Sequence, residues 1–331
     1  MPERRYDPIH DRWVIVAADR AERPHTFRTM APIEGDHDAT CPFCPGNEAQ
    51  TTPEVFRSGE GAPNSLGWQV RVFPNMYPVV GPDREAHPGD DHWRSSESAT
   101  GSHEVVLMSP VHRHSLADLT DHDARTFFRV LRDRVRVHRD RGHHYSQVLI
   151  NHGTAAGASI EHPHAQLISI DFVPDPIDQV AQQGANACGA VVAAARDHER
   201  AGALTVLTTD ALVAWVPWAS ATPYVTNITP TTDCARFADA DDGDVDAVAL
   251  TCRELVRALR AELGEQPYNL LVMSAANGDD RPFQWYVEIQ PRLGVLAGFE
   301  LGAGVYVNIV PPEIAAVRLR AHLDHPAVSE H

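Results

Sequence analysis

The feature that most limits how this chain can fold is a long-range repetition of its elements. The run Tyr145-Ser-Gln-Val-Leu-Ile-Asn-His-Gly153 is echoed by Tyr268-Asn-Leu-Leu-Val-Met-Ser-Ala-Ala-Asn-Gly278, each a strand pattern closing on glycine. Upstream of each, residues 116–141 and 245–263 carry helical periodicity. Further upstream, Leu107-Met-Ser-Pro110 is echoed by Thr226-Asn-Ile-Thr-Pro230, and the alternating run at 70–80 by the one at 211–224. Downstream, Gln284-Trp-Tyr-Val-Glu-Ile-Gln290 stands where His162-Pro-His-Ala-Gln166 stood. A strand-strand-helix-strand-strand unit written twice, with a period too long for a solenoid, predicts a duplicated α+β fold. Its strands would form an antiparallel sheet with flanking helices, a first repeat at 1–175 and a second at 176–331.

The two copies differ where chemistry is concerned. In the first, Val148, Leu149 and Ile150 end a strand, a loop of Gly, Ala and Ser follows, and His162, His164 and Gln166 alternate into the next strand. Alternation puts those three side chains on one face. A loop of small residues lets backbone N–H groups approach a phosphate, and a neutral imidazole beside it is a nucleophile for phosphorus. With 19 histidines in the chain a His-x-His pair arises cheaply; the small-residue loop, Pro163 and Gln166 in the same stretch are what raise this one above the rest. The second copy offers Gln284, Trp285, Tyr286, Glu288 and Gln290 and no imidazole. Chemistry is therefore expected once per chain, in the first repeat.

At 331 residues, 43% hydrophobic and 22% charged, the chain can bury a large core. No apolar run approaches a membrane span, and the start, Met1-Pro-Glu-Arg-Arg-Tyr-Asp, lacks a signal-peptide core. The expectation is a cytoplasmic protein without membrane partners. A formal charge of −17 argues against nucleic acid as a partner, while leaving room for a nucleotide held by a few arginines and backbone donors. Among five cysteines only Cys41 and Cys44 are close, which makes a poor disulfide framework and a better half of a metal site. No second Cys-x-x-Cys exists to complete it, so two histidines are the natural remaining ligands. A redox Cys-x-x-Cys would need a thioredoxin-like strand-helix setting that the flanking sequence does not provide.

The stretch 151–166 resembles the active-site motif of the histidine-triad superfamily, and its His-Pro-His-x-Gln form is similar to the galactose-1-phosphate uridylyltransferase branch. The resemblance runs from Arg4 to Arg320. It implies two histidine-triad-like repeats sharing a half-barrel sheet. It makes His164 the nucleophile that carries a nucleotidyl group and Gln166 a donor to a phosphate oxygen, helped by Ser159 and loop N–H groups; Asn151 and Gly157 would contact substrate. It implies one structural Zn²⁺ held by Cys41, Cys44, His162 and the His112 of Ser109-Pro-Val-His112. The histidines and the Glu that many members use for a second metal are absent, so none is expected.

The same resemblance assigns the arm Arg20-Ala-Glu-Arg23-Pro24 to a partner subunit's site, so that Arg20 and Arg23 would meet phosphate there. Asn75 would contact the nucleoside. A glycine-rich strand-turn at 298–308, with Phe299 and Glu300, would meet the sugar phosphate, also across a homodimer with shared active sites. Gly294 and Tyr306 stand where the best-known members have a Lys and a Gln that hold the substrate. The implied activity moves UMP from UDP-glucose to galactose 1-phosphate through a uridylyl-histidine. An ADP-glucose phosphorylase or adenylyltransferase is the same-chemistry alternative, and a nucleotide-binding protein without turnover is the alternative of a different class.

Overall fold

Alternation along a strand lets one sheet face take helices while the other keeps polar groups. The computed structural model describes residues 2–18, 39–82, 98–112, 115–184 and 202–324. In chain order its elements begin with β1 (Glu3–Asp7), β2 (Arg12–Val16), β3 (Phe56–Gly59), β4 (Trp68–Pro74) and β5 (Gly101–Leu107). Then come α1 (Asp121–Asp140), β6 (Tyr145–His152), β7 (His164–Ile170) and α2 (Asp175–Gln183). The second half adds β8 (Thr205–Thr208), β9 (Leu212–Trp215), β10 (Thr226–Pro230), α3 (Asp242–Leu263), β11 (Tyr268–Met273) and β12 (Tyr286–Pro291). It closes with α4 (Gly298–Ala303), β13 (Tyr306–Asn308) and α5 (Pro312–Asp324).

Ten strands form one open sheet in the order β3-β4-β5-β7-β6-β11-β12-β10-β9-β8, and every pairing is antiparallel. The order reads as a five-strand motif and its reverse, joined between β6 and β11. At that seam Val148 lies opposite Val272 and Leu149 opposite Leu271, which are the equivalent pairs of the two echoed runs crossing over one another. The fold is the α+β architecture that the repetition predicts, and β3 and β8 are edge strands that the repeating unit did not include.

On one sheet face Val70, Val72, Val106, Val148, Ile150, Ala165, Leu167, Leu270, Val272, Val287 and Ile289 are buried in a single core with α1 and α3. Both helices have side-chain caps: Thr120 accepts from the Asp123 N–H at 3.1 Å, and Asp241 from that of Asp244 at 2.8 Å. They pack on each other, with Arg129 bidentate on Asp246 at 2.7 and 2.6 Å. The opposite face carries His103, Gln166 and Asn269, the groups from which a site is built.

The structure departs from the sequence pattern at two places. Residues 116–141 are not one helix. Ser115 and Asp118 cap a separate single turn at Leu116–Asp118, and α1 begins only after the second cap at Thr120. The glycine-rich stretch at 298–308 is not a strand-turn: its first part is α4, closed by Gly304 in the left-handed region at φ 66°. Only Tyr306–Asn308 is strand, and it pairs parallel with β2 beside the β1–β2 hairpin.

Beneath β5, Glu104 accepts from Arg134 at 2.6 and 2.9 Å, and both are buried. Burial would raise the Glu104 pKa, but His138 and Arg134 outweigh it and hold the carboxyl at about 2. Replacing Arg134 by Met leaves a buried carboxylate without its bidentate cation, and is expected to cost about 3–5 kcal/mol in denaturant unfolding at neutral pH. Because the Glu104 pKa is depressed on folding, the pair's contribution is full above the ordinary glutamate range and fades as pH falls toward about 2. The gap between wild type and variant should therefore narrow in acid.

Candidate active site and metal centre

Cys41-Pro-Phe-Cys44 folds as a tight knuckle. The Cys44 N–H donates to the Cys41 carbonyl at 3.2 Å, and Asn47 Nδ2 donates to the same carbonyl at 2.8 Å. Glu48 braces the turn, accepting from the Gly46 N–H at 3.0 Å and Trp68 Nε1 at 2.9 Å. The knuckle sits against the end of β5 and the start of β7, so Cys41, Cys44, His112 and His162 converge, all buried, with their ligand atoms within 4.8 Å of one another. Cys44 Sγ lies 3.3 Å from His112 Nδ1 and 3.7 Å from His162 Nδ1. A tetrahedron with ordinary Zn–S and Zn–N bonds has S···N edges of roughly 3.5 Å, so the donors are already spaced for one ion.

Protonation supports the same reading. Burial, with the neighbouring Cys44 adding to it, pushes the Cys41 thiol up to about 11, so a thiolate at this place calls for a cation. His162 Nε2–H donates to the Ser109 carbonyl at 2.8 Å, which leaves Nδ1 unprotonated and turned to the sulfur. These four residues can hold a metal.

The backbone carbonyl of His162 accepts from His164 Nδ1–H at 2.7 Å. That fixes the His164 tautomer and leaves Nε2 with its lone pair. Phe43, from the middle of the knuckle, packs edge-on against the His164 ring at 5.3 Å between centroids. Burial lowers the His164 pKa, partly opposed by the bond to His162, so the ring is neutral at pH 7.

The remaining expected residues divide into two groups. Gln166 lies two positions along the same face, half-buried. The loop after β6 turns at Gly157, at φ 93°, where a Cβ would meet Asn151 Nδ2 at 3.6 Å. Asn151 Oδ1 accepts from Asn269 Nδ2 at 2.6 Å, and Ser159 is exposed on that loop. Asn75 leaves β4 beside β5, donating its N–H to the His103 carbonyl at 2.8 Å. Asn75 and Gln166 both reach His103, and Asn151 follows Ile150, which lies opposite Ala165 next to His164. Phe299 and Glu300 are on α4, where Phe299 is exposed and Glu300 accepts the Ala297 N–H of its own helix at 3.0 Å. Arg20 and Arg23 lie outside the described residues.

A family model described as galactose-1-phosphate uridyl transferase, N-terminal domain, matches residues 1–174. The chain belongs to this family of nucleotidyltransferases. A second model, for a domain of unknown function, matches residues 109–326. The ADP-glucose phosphorylase of Arabidopsis thaliana is 28% identical over 96% of this chain and 92% of its own length. A galactose-1-phosphate uridylyltransferase from Haemophilus influenzae is 27% identical over 97% of this chain and 94% of its own. The crystal structure of the Arabidopsis phosphorylase with bound ADP-glucose superposes over 100% of both chains, with a TM-score of 0.81 at 26% identity. A uridylyltransferase structure matches at TM-score 0.74 and 23% identity over 99% of this chain and 100% of its own, a likeness of fold.

Two further residues join these groups without any signal in the sequence. Asn269, on β11, donates to both Asn151 Oδ1 and the Ala156 carbonyl at 2.8 Å, so the second half holds the loop of the first. His103 reaches Gln166 from the neighbouring strand. Neither belongs to a motif, and only the pairing of strands brings them in.

For the metal cluster, elemental analysis is expected to return one ion per folded chain. Cys44→Ser should lose it and melt at lower temperature. A metal-free wild type with an unchanged melting curve would contradict the assignment.

Proposed function

We propose that this chain transfers a nucleoside monophosphate by double displacement through His164. The observation that carries the proposal is the His164 Nδ1–H bond to the His162 carbonyl, which leaves Nε2 of a neutral ring with its lone pair. Nε2 attacks the α-phosphorus of a nucleoside diphosphate hexose, the bond to the bridging oxygen breaks, and the sugar 1-phosphate leaves with that electron pair. An acceptor phosphate oxygen then attacks the same phosphorus and releases the imidazole. Gln166, Ser159 and loop N–H groups meet the non-bridging oxygens, where charge has to be stabilised. Asn151, Gly157 and Asn75 line the nucleotide. The chemistry is confined to the first repeat, 1–175, and the second, 176–331, serves as support and wall.

The ion we assign to Cys41, Cys44, His112 and His162 is Zn²⁺. With four protein ligands it has no open position, so it supplies rigidity to the strand start rather than Lewis acidity.

For the donor we favour ADP-glucose, with inorganic phosphate as acceptor. The similarity to the Arabidopsis phosphorylase over nearly the whole of both chains supports it, as does the absence at Gly294 and Tyr306 of the Lys and Gln of uridylyltransferases. UDP-glucose with galactose 1-phosphate is the second reading, favoured by the uridylyltransferase relatives. Incubation with each donor followed by intact-protein mass measurement separates them: an added AMP or UMP mass names the nucleotide. His164→Asn should take no adduct from either while keeping its metal. Turnover without any adduct would exclude double displacement.

Arg20 and Arg23 we place across a homodimer, in the partner's site. Two phosphates need cations, and Lys and Arg number 28 against 45 Asp and Glu. Mixing inactive His164→Asn chains with inactive Arg23→Ala chains should restore activity, since a mixed dimer contains one intact site. No recovery after proven subunit exchange would refute shared sites.

A further inference from the structure

His103 lies on β5, buried, with each ring nitrogen engaged. The Val79 N–H donates to Nδ1 at 3.3 Å, so in the neutral ring the proton sits on Nε2. Nε2 is 2.9 Å from Gln166 Oε1, and this bond therefore runs from imidazole to amide oxygen. Burial lowers the His103 pKa and the bond to Gln166 opposes it, in keeping with a neutral ring. Asn75 Nδ2, itself a donor, lies 3.1 Å from the same nitrogen; with Nε2–H turned to Gln166 this is a contact and not a hydrogen bond, while Asn75 Oδ1 accepts the Tyr77 N–H at 2.8 Å.

The consequence falls on Gln166. The two ends of an amide are nearly equal in size but opposite in polarity, so a free Gln has no steric reason to present one rather than the other. Here the oxygen is taken by His103, and the amino group makes no hydrogen bond among the described residues. On β7 Gln166 and His164 share a face, with Val105 opposite Gln166 and Leu107 opposite His164. We propose that His103 is a positioning residue that fixes the sense of the Gln166 amide, holding its oxygen so that its amino group is offered to the phosphoryl oxygen beside His164. This rests on the function proposed above. A flipped amide would point a lone pair at an anionic oxygen and turn a stabilising contact into a repulsive one. His103 also holds the 75–79 turn through its Nδ1 and its carbonyl, so it joins the strand edge expected to meet the nucleoside to the group expected to meet the phosphate.

The two ring nitrogens can be removed separately. Asn reaches only as far as Nδ1, so His103→Asn keeps an acceptor for Val79 but does not reach Gln166. Gln reaches as far as Nε2, so His103→Gln keeps a donor for Gln166 and loses the Val79 contact. The readout is the single-turnover rate of nucleotidyl adduct formation with ADP-glucose and with UDP-glucose, with metal content and melting temperature measured alongside. His103→Asn is expected to slow adduct formation about tenfold or more, up to the roughly hundredfold that follows outright loss of a donor to a developing oxyanion, and His103→Gln to stay within about threefold of wild type. In a Gln166→Ala background His103→Asn should add less than about a further twofold, because its target is gone. A purely structural role would instead give equal losses in both backgrounds, or a larger loss for His103→Gln, and either result overturns the proposal. So does a His103→Asn rate equal to wild type. If wild type takes no adduct from either donor, the reading of the site falls, and this inference falls with it; an adduct on wild type with an indifferent His103 refutes the inference alone.

Discussion

His162 joins the two halves of the site through three of its atoms. Nδ1 faces Cys44 Sγ, Nε2–H is spent on the Ser109 carbonyl, and its own carbonyl takes the Nδ1–H of His164. A ring held on both nitrogens is fixed in one rotamer, which restrains the backbone that carries it. Pro163 stiffens that step further by fixing its own φ. The orientation of His164 is thus tied to the Cys41, Cys44, His112 and His162 cluster by way of the backbone. Phe43 repeats the coupling in apolar form: it lies between Cys41 and Cys44 in sequence and against the His164 ring in space.

The sheet explains why such a polar site can exist inside a well-packed domain. One face is used up by α1 and α3 in a continuous apolar core. The other is relieved of that duty, so His, Gln and Asn side chains can occupy it and satisfy one another across strands. The pairings His103 to Gln166, and Asn269 to Asn151, connect neighbours that are 63 and 118 residues apart in sequence. β11 thereby holds the loop that follows β6, even though its neighbour β12 carries no imidazole. That strand, the equivalent of β7 in the second repeat, carries Tyr286, Glu288 and Gln290, with Gln290 Nε2 donating to Glu288. The two halves of the sheet share one strand order and carry different side chains on it.

Structure and sequence pattern part where local signals compete. Glycines at 298, 302 and 304 suggest a turn between extended segments. The structure uses only Gly304 for its positive φ and winds 298–303 into a short helix, since Glu300 can cap the Ala297 N–H. Asn308, at the end of the same stretch, is wholly buried and donates to Ser220 Oγ at 2.9 Å; its place is in the frame beside β2. The helix expected from residue 116 fails for a related reason. Hydrophobic period alone spans 116–141, but two caps, Ser115 and Thr120, each start a helix of their own.

By itself the sequence determined what depends on spacing along the chain. The echoed runs specify a repeated strand and helix order, the His-x-His-x-Gln alternation puts three side chains on one face, and Cys-x-x-Cys brings two sulfurs within reach of one ion. Each is a consequence of local geometry, with periods of two residues, 3.6 residues or one tight turn. Tertiary structure alone decided which strands lie side by side. From that came the partners of Cys44, the carbonyl that orients His162, the histidine that holds Gln166 and the asparagine that anchors the loop at Asn151. Those contacts depend on register between distant strands, and register is fixed by burying the whole apolar face at once. No short stretch of the chain contains that information.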